Sequence, residues 1–258
     1  MRLCVFVRTS AAMSMKINPG LDVDALASEL ARNRRLQIPD FFERETADAI
    51  HEMLATRTPW WLAYNVGNEV KQLSPETLSR MGHGQMERVL GEVVERAQTQ
   101  YQFVYAFYPI LGNYFSQDPK PPVSEVFRFL NTPPVLDWLR RLTGRDDVRW
   151  VDAQATLYQS GHFLKSHSDK DDSGARVAAY VLNFTKLWER DWGGYLQFFN
   201  ESHDIELALR PIFNAMNIFL VPTDHSVGIV APFAPADRLS ITGWLRIDSP
   251  PGPIEPLE

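Results

Sequence analysis

The sequence predicts an α+β fold, with N-terminal helices packed on one face of a two-sheet jelly roll. Three observations predict it. Before residue 148 the apolar residues recur at helical spacing in several separate segments. After residue 148 they alternate in short runs bounded by Gly, Asp and Asn, as strands do. No internal repeat or low-complexity tract divides the 258 residues. A single domain over 21–248 is therefore expected, with helical support at 21–145 and the jelly-roll core mainly at 148–247. Residues 1–20 read as a flexible N-terminus, and SPPGPIEPLE (249–258) as a mobile proline-rich tail.

DVDALASELARNRR (22–35) is expected to be helical, with apolar residues at 23, 26, 27 and 30 and basic residues in the last turn. LQIPDFF reads as a short strand whose proline marks an edge or an ending. A second amphipathic helix is expected over 43–56, then a strand at PWWLAYNV. Ser74 is a good N-cap, with Pro75 in the first turn of the helix it opens. Residues 86–108 read as one major helix. GNYFSQDPKPPVS (112–124) reads as a proline-rich loop and a candidate substrate-facing lid, with 58–75 a second candidate for reading substrate. Helix resumes over 123–142, is interrupted near TPP, and ends at Gly144. Residues 176–199 supply two apolar strands joined by a Trp- and Gly-rich turn, where Gly193 and Gly194 are expected at positive φ. RLSITGWLR is the last strand.

Composition narrows the function. A hydrophobic content of 45%, with 7 Trp and 15 Phe, suffices for one large core. The net charge of −6 argues against a nucleic-acid surface, which needs a basic face. The single cysteine, Cys4, leaves no disulfide within the chain and suits a reducing, cytoplasmic setting. No apolar run approaches the roughly 18 residues of a membrane span, and LCVFV is too short for a signal core. Neither a membrane nor a nucleic acid is an expected partner, and the sequence leaves oligomeric state open.

The chemistry is carried by His167 and Asp169 in YQSGHFLKSHSDKDD, answered downstream by His225 in NAMNIFLVPTDHSVGIV. Two imidazoles and one carboxylate form the ligand set that holds non-heme Fe(II) and leaves open positions on the metal. An H-x-D pair on an extended strand puts both side chains on one face. In a chain with 6 histidines the pattern alone is weak, because strand-end hydrogen bonding explains it equally well. Arg238 and Ser240 strengthen it. They share one face of the last strand, and a guanidinium fork with a neighbouring hydroxyl is suited to gripping a terminal carboxylate. Trp244 falls on the same face and can wall a cavity or fill a core.

The order Y-x-x-G-x-F-x-x-H-x-D from Tyr158 to Asp169, then Arg176, then Trp188, Gly193, Gly194 and Leu196, then His225 and RLSITGW, resembles the 2-oxoglutarate- and Fe(II)-dependent dioxygenases. Within them the chain is most similar to the prolyl-hydroxylase-like branch acting on ribosomal protein prolines, which YQFVYAFYPI (101–110) also resembles. The resemblance is specific over 150–247 and thin before 100. It implies a double-stranded β-helix, or cupin-like jelly roll. It also implies Fe(II) on His167, Asp169 and His225, with 2-oxoglutarate and O2 as co-substrates and ascorbate as an accessory reductant. Arg238 and Ser240 would hold the far carboxylate of 2-oxoglutarate. Tyr158 resembles the family tyrosine that bonds the co-substrate, though a core aromatic is an equal reading. Asn183 falls where relatives have a tyrosine touching the same carboxylate, so there this chain departs from the pattern. Eukaryotic members carry a second, degenerate barrel, for which these 258 residues leave no room.

Three functions follow: hydroxylation of a prolyl residue in a protein or peptide, hydroxylation of a free amino acid or other small metabolite, and a silent metal-binding cupin-like module. The retained Asp169 agrees with hydroxylation, since halogenating relatives lack the carboxylate. Asp171 and Asp172 read as solvated turn residues, and His51, His83, His162 and His203 as surface or helix-capping side chains.

Overall fold

In the computed structural model, residues 14–117 and 120–257 are described. Helix α1 (Val23–Asn33) begins where the Asp22 carboxylate accepts from the N–H groups of Asp24 and Ala25, and it ends at left-handed Arg34. Next come β1 (Arg35–Ile38), α2 (Arg44–Arg57), and the hairpin β2 (Trp61–Val66) and β3 (Glu69–Leu73). Helix α3 (Pro75–Arg80) starts on Ser74, whose hydroxyl accepts from the Thr77 N–H, and α4 (His83–Ala97) follows. After β4 (Phe103–Tyr108) lie α5 (Ile110–Ser116), α6 (Ser124–Leu130) and α7 (Pro133–Thr143). Gly144 closes α7 with φ 65°.

The remaining strands are β5 (Trp150–Val151), β6 (Gln154–Tyr158), β7 (Phe163–His167), β8 (Arg176–Asn183), β9 (Leu196–Phe199), β10 (Ile205–Leu209), β11 (Ala215–Leu220), β12 (His225–Val227) and β13 (Arg238–Arg246). They pair in the order β1-β11-β8-β13-β6-β4-β7-β12-β9-β10, with β2 joined to β4, β3 to β2 and β5 to β13. The result is a nearly closed antiparallel barrel of jelly-roll type, as the sequence predicts.

Strand alternation sorts the side chains between two environments. In β8, Ala178, Tyr180 and Leu182 join the large core beneath the helices, while Ala179 and Val181 face the barrel interior. In β13, Leu239, Ile241 and Leu245 take the helix side. Arg238, Ser240, Thr242 and Trp244 line the interior cavity. Phe219 lines it too, backed edge-on by Phe198 with 5.2 Å between centroids.

Several expectations are corrected. The segment 86–108 is not one helix, because α4 stops at Ala97 and FVYAFY forms β4, paired with β2, β6 and β7. Its aromatic residues are buried by neighbouring strands on both edges, which outweighs the helical spacing before it. Within 112–124, residues up to Ser116 are helical, and the described part of the segment does not line the barrel cavity. It packs instead under the C-terminal tail, where Tyr114 Oη accepts from the Glu255 N–H at 2.7 Å. That tail is tied down, since Arg128 donates to the carbonyls of Glu255 and Pro256. Of the stretch 1–20, residues 1–13 lie outside the described residues. Ile17 forms a β-bridge with Phe42, and Asn18 N–H donates to the Phe41 carbonyl at 2.9 Å.

Candidate metal centre and anion pocket

Strands β7 and β12 pair so that His167 and His225 are direct cross-strand partners, with ring centroids 4.2 Å apart. His167 Nδ1 lies 3.1 Å from the Lys165 carbonyl and His225 Nδ1 lies 2.8 Å from the Thr223 carbonyl. A carbonyl can only accept, so each Nδ1 carries the proton and each Nε2 is left with a free lone pair. The two Nε2 atoms converge on Asp169, with His167 Nε2 3.2 Å from Oδ1 and His225 Nε2 3.5 Å from Oδ2. The three ligand-capable atoms lie within 4.8 Å of one another.

The expectation that strand alternation presents Asp169 is corrected. Strand β7 ends at His167, and Asp169 sits two residues on with φ 56°, a left-handed conformation uncommon for a residue other than glycine. Trp244 Nε1–H donates to Asp169 Oδ2 at 3.0 Å, and Arg176 Nη1 donates to the Asp169 carbonyl at 3.2 Å. Burial by itself would raise the Asp169 carboxyl. The neighbouring His167 and His225 imidazoles and the Trp244 N–H outweigh burial and hold it below the usual carboxylate range. Burial pulls His225 down to about 4, so this imidazole is neutral near pH 7. A neutral imidazole with a free Nε2 is the state a metal needs.

The triad opens into a cavity of ≈ 560 Å³ that also holds Arg238, Ser240, Thr156, Tyr105 and Tyr158. Arg238 is 1% exposed, yet its Nε and Nη1 have no hydrogen-bond partner. Among the described residues no carboxylate pairs with it. Its guanidinium carbon lies 5.2 Å from the Tyr158 ring centroid. The Ser240 and Thr156 hydroxyls bond each other at 2.8 Å beside it. Burial pushes the Tyr158 phenol well above its usual value and raises Tyr105 to about 12, so both rings stay neutral.

The structure thus brings His167, Asp169, His225, Arg238, Ser240 and Tyr158 to one cavity. Asn183 is not among its lining residues. Its short amide turns to the neighbouring strand, Nδ2 donating to the Ala215 carbonyl at 3.2 Å. Asp171 and Asp172 form the expected turn, where Asp171 Oδ1 accepts from the Ala175 N–H. His83 and His203 are exposed, but His162 is buried, its Nδ1 accepting from the Gln159 N–H at 3.1 Å. Tyr101, Phe103 and Tyr105 form an aromatic wall that sequence reasoning misses, because the stretch reads as helix. Their spacing of two was the available signal. Tyr105 stacks on Tyr158 at 5.2 Å. The β2–β3 hairpin adds Asn65, Gly67, Asn68 and Val70 at the rim, so among the described residues of the two candidate substrate-reading segments only those of 58–75 reach the cavity.

These residues suit Fe(II) and 2-oxoglutarate. A buried, partnerless guanidinium is unfavourable without an anion, and the nearest open space leads to a site with two imidazoles and a carboxylate. Residues 153–246 match the family model described as the 2OG-Fe(II) oxygenase superfamily. Those residues are similar to a 2OG-Fe(II) oxygenase domain. The chain is 28% identical over 147 residues to a Mus musculus protein named prolyl 3-hydroxylase OGFOD1, covering 53% of this chain and 26% of that relative. The match therefore spans about a quarter of the relative's own length. A prolyl-4-hydroxylase from Pseudomonas putida has a TM-score of 0.55 at 17% identity, covering 91% of this chain and 96% of that one. A 2OG-Fe(II) oxygenase family oxidoreductase from Burkholderia pseudomallei has a TM-score of 0.57 at 13% identity, covering 93% and 98%. The two structures share this chain's fold. Among the described residues no helix is long and apolar enough to cross a membrane.

Proposed function

We propose that this oxygenase hydroxylates a C–H bond of a prolyl residue in a protein or peptide, using Fe(II), 2-oxoglutarate and O2. One oxygen atom of O2 enters the product and the other enters succinate, with release of CO2. The observation that carries the reading is the buried Arg238, without a counter-anion, opening onto the cavity that holds His167, Asp169 and His225. In this reading His167, Asp169 and His225 hold the iron, which supplies the oxidation chemistry when bound. Arg238 grips the far carboxylate of 2-oxoglutarate bidentately, and the Ser240 hydroxyl adds a donor. Tyr158 and Tyr105 stay neutral and, with Phe219 and Leu196, keep the cavity dry and apolar around the reacting carbon. Asn183 acts through the backbone of β11 rather than by touching the co-substrate.

The prolyl assignment is supported by the name of the mouse relative, and an exposed β2–β3 hairpin at the cavity rim suits an extended chain. A free amino acid or other small metabolite is the second reading, favoured by a cavity of ≈ 560 Å³ that would enclose it whole. The single cysteine supports a reducing compartment, and we place the enzyme in the cytoplasm with ascorbate as accessory reductant.

Two measurements test this. Anaerobic addition of Fe(II) and 2-oxoglutarate should produce a visible metal-to-ligand absorption band, and its absence would remove the dioxygenase reading. Incubation with a size-fractionated host lysate should then add oxygen to proline in the large fraction. Succinate release with the small-molecule fraction alone, without oxidised protein, would favour the metabolite.

A further inference from the structure

Asp169 is an unusual place to put a metal ligand. It lies beyond the end of β7, and its left-handed backbone is unfavourable for a residue with a side chain. A carboxylate in such a position needs something to hold it. Two side chains from adjacent strands do so from opposite ends. Trp244 of β13 donates its indole N–H to Oδ2 at 3.0 Å, which fixes the plane of the carboxylate. Arg176 of β8 donates to the Asp169 backbone carbonyl at 3.2 Å, which fixes the left-handed turn. The two are joined, the guanidinium carbon stacking 3.7 Å from the Trp244 ring centroid. Trp244 is anchored in turn, because its own backbone N–H donates to Asp152 Oδ1 at 2.6 Å.

We propose that Trp244 and Arg176 form a clamp that sets the orientation of Asp169, making both positioning residues for the metal. The proposal rests on the reading of His167, Asp169 and His225 as metal ligands. The indole N–H takes one lone pair of Oδ2, while Oδ1, the oxygen nearer His167, accepts no such bond and is the freer of the two to ligate. Arg176 acts through Trp244 and the Asp169 backbone carbonyl, and is itself held by Asp171, whose Oδ2 lies 3.6 Å from its Nε.

Anaerobic titration with Co(II), read by its visible absorption, tests the clamp without turnover. Trp244→Phe keeps the ring and removes the N–H. It should raise the Co(II) dissociation constant about 10–100-fold. Arg176→Met should raise it as well, and the double variant should weaken binding by less than the product of the single effects. Thermal unfolding of the metal-free proteins separates this from a structural role, which would lower the apo melting temperature and leave the dissociation constant unchanged. A dissociation constant within about threefold of wild type in both single variants would overturn the clamp. His167→Ala is the control for the site itself. If it binds Co(II) as wild type does, the metal-centre reading falls and the clamp with it. If His167→Ala loses binding while Trp244→Phe and Arg176→Met keep it, the clamp alone falls.

Discussion

Arg238 and Tyr158 are direct cross-strand partners on β13 and β6, and the guanidinium lies over the phenol ring with its carbon 5.2 Å from the centroid. The ring face attracts the cation but supplies no hydrogen-bond acceptor to Nε or Nη1. The charge is held in place while its N–H groups stay available. That is how a site keeps a buried cation ready for an anion without neutralising it with a carboxylate of its own.

Arg238→Ala should therefore weaken 2-oxoglutarate binding by at least two orders of magnitude, since losing one partner of a buried charge pair costs about 3–5 kcal/mol. Arg238→Lys should recover only part of this, because an ammonium lacks the planar fork. Anaerobic calorimetry on the Fe(II) protein measures both, and an unchanged dissociation constant in Arg238→Ala would refute the anion-pocket reading.

His225→Ala should abolish metal binding and metal-dependent turnover while the barrel stays folded. The ring packs 4.5 Å from Phe219, so its removal also leaves a void. A stability loss of about 1–3 kcal/mol is expected from that void. Metal stoichiometry of the purified variant, with circular dichroism as the folding control, decides the matter. Retained stoichiometric metal would remove His225 from the ligand set.

Stability should depend on pH through two buried groups acting in opposite directions. Burial lowers His162 to about 4 from 6.5, so its contribution is complete above pH 6.5 and is lost as pH falls toward 4. The loss is at most about 3 kcal/mol, since each tenfold change in proton affinity corresponds to about 1.4 kcal/mol. His162→Asn keeps an acceptor for the Gln159 N–H, so its urea unfolding free energy should fall less steeply with acid than that of wild type. Burial raises Asp152 from 3.8 to about 6. Its contribution is present below pH 3.8 and is lost as pH rises through 6, so Asp152→Asn should gain on wild type above that point. Parallel pH profiles for wild type and variant would contradict either assignment.

Two glycines with nearly the same φ should respond differently to alanine, because ψ is 23° at Gly144 and −146° at Gly193. Gly144 has φ +65° with nothing within 4 Å of an added Cβ, whereas at Gly193, φ +67°, the Cβ would lie 2.1 Å from the Ile229 carbonyl oxygen. Gly144→Ala should cost about 1 kcal/mol, the left-handed penalty alone. Gly193→Ala must also push away the Ile229 segment, where the N–H groups of Val230 and Ala231 donate to the carbonyls of His162 and Trp192. It should cost about 3 kcal/mol or more. Chemical denaturation of both variants gives the comparison, and equal losses would show that the loop yields freely.

Local patterns determined most of the architecture. The caps at Asp22, Ser74 and Gly144, the apolar spacing of α1 and α2, and the alternation of RLSITGWLR all depend on neighbours a few residues away. They place Arg238, Ser240 and Trp244 on one face of β13 before any tertiary contact is known. The triad was legible because its chemistry needs particular side chains, whatever holds them. The tertiary structure decided what those side chains meet. Residues 103–108 are a strand because three other strands pair with β4 and bury it, a condition absent from the segment itself. Asp169 reaches its partners through a left-handed turn whose carbonyl accepts from Arg176 and whose carboxylate accepts from Trp244, the latter 75 residues away in sequence. Asn183 turns to the Ala215 carbonyl, and 112–124 packs under the tail rather than over the cavity. Spacing along the chain sets which face a residue takes on its own strand, but register between strands sets which atoms come within bonding distance, and register is settled by pairing and burial across the whole barrel.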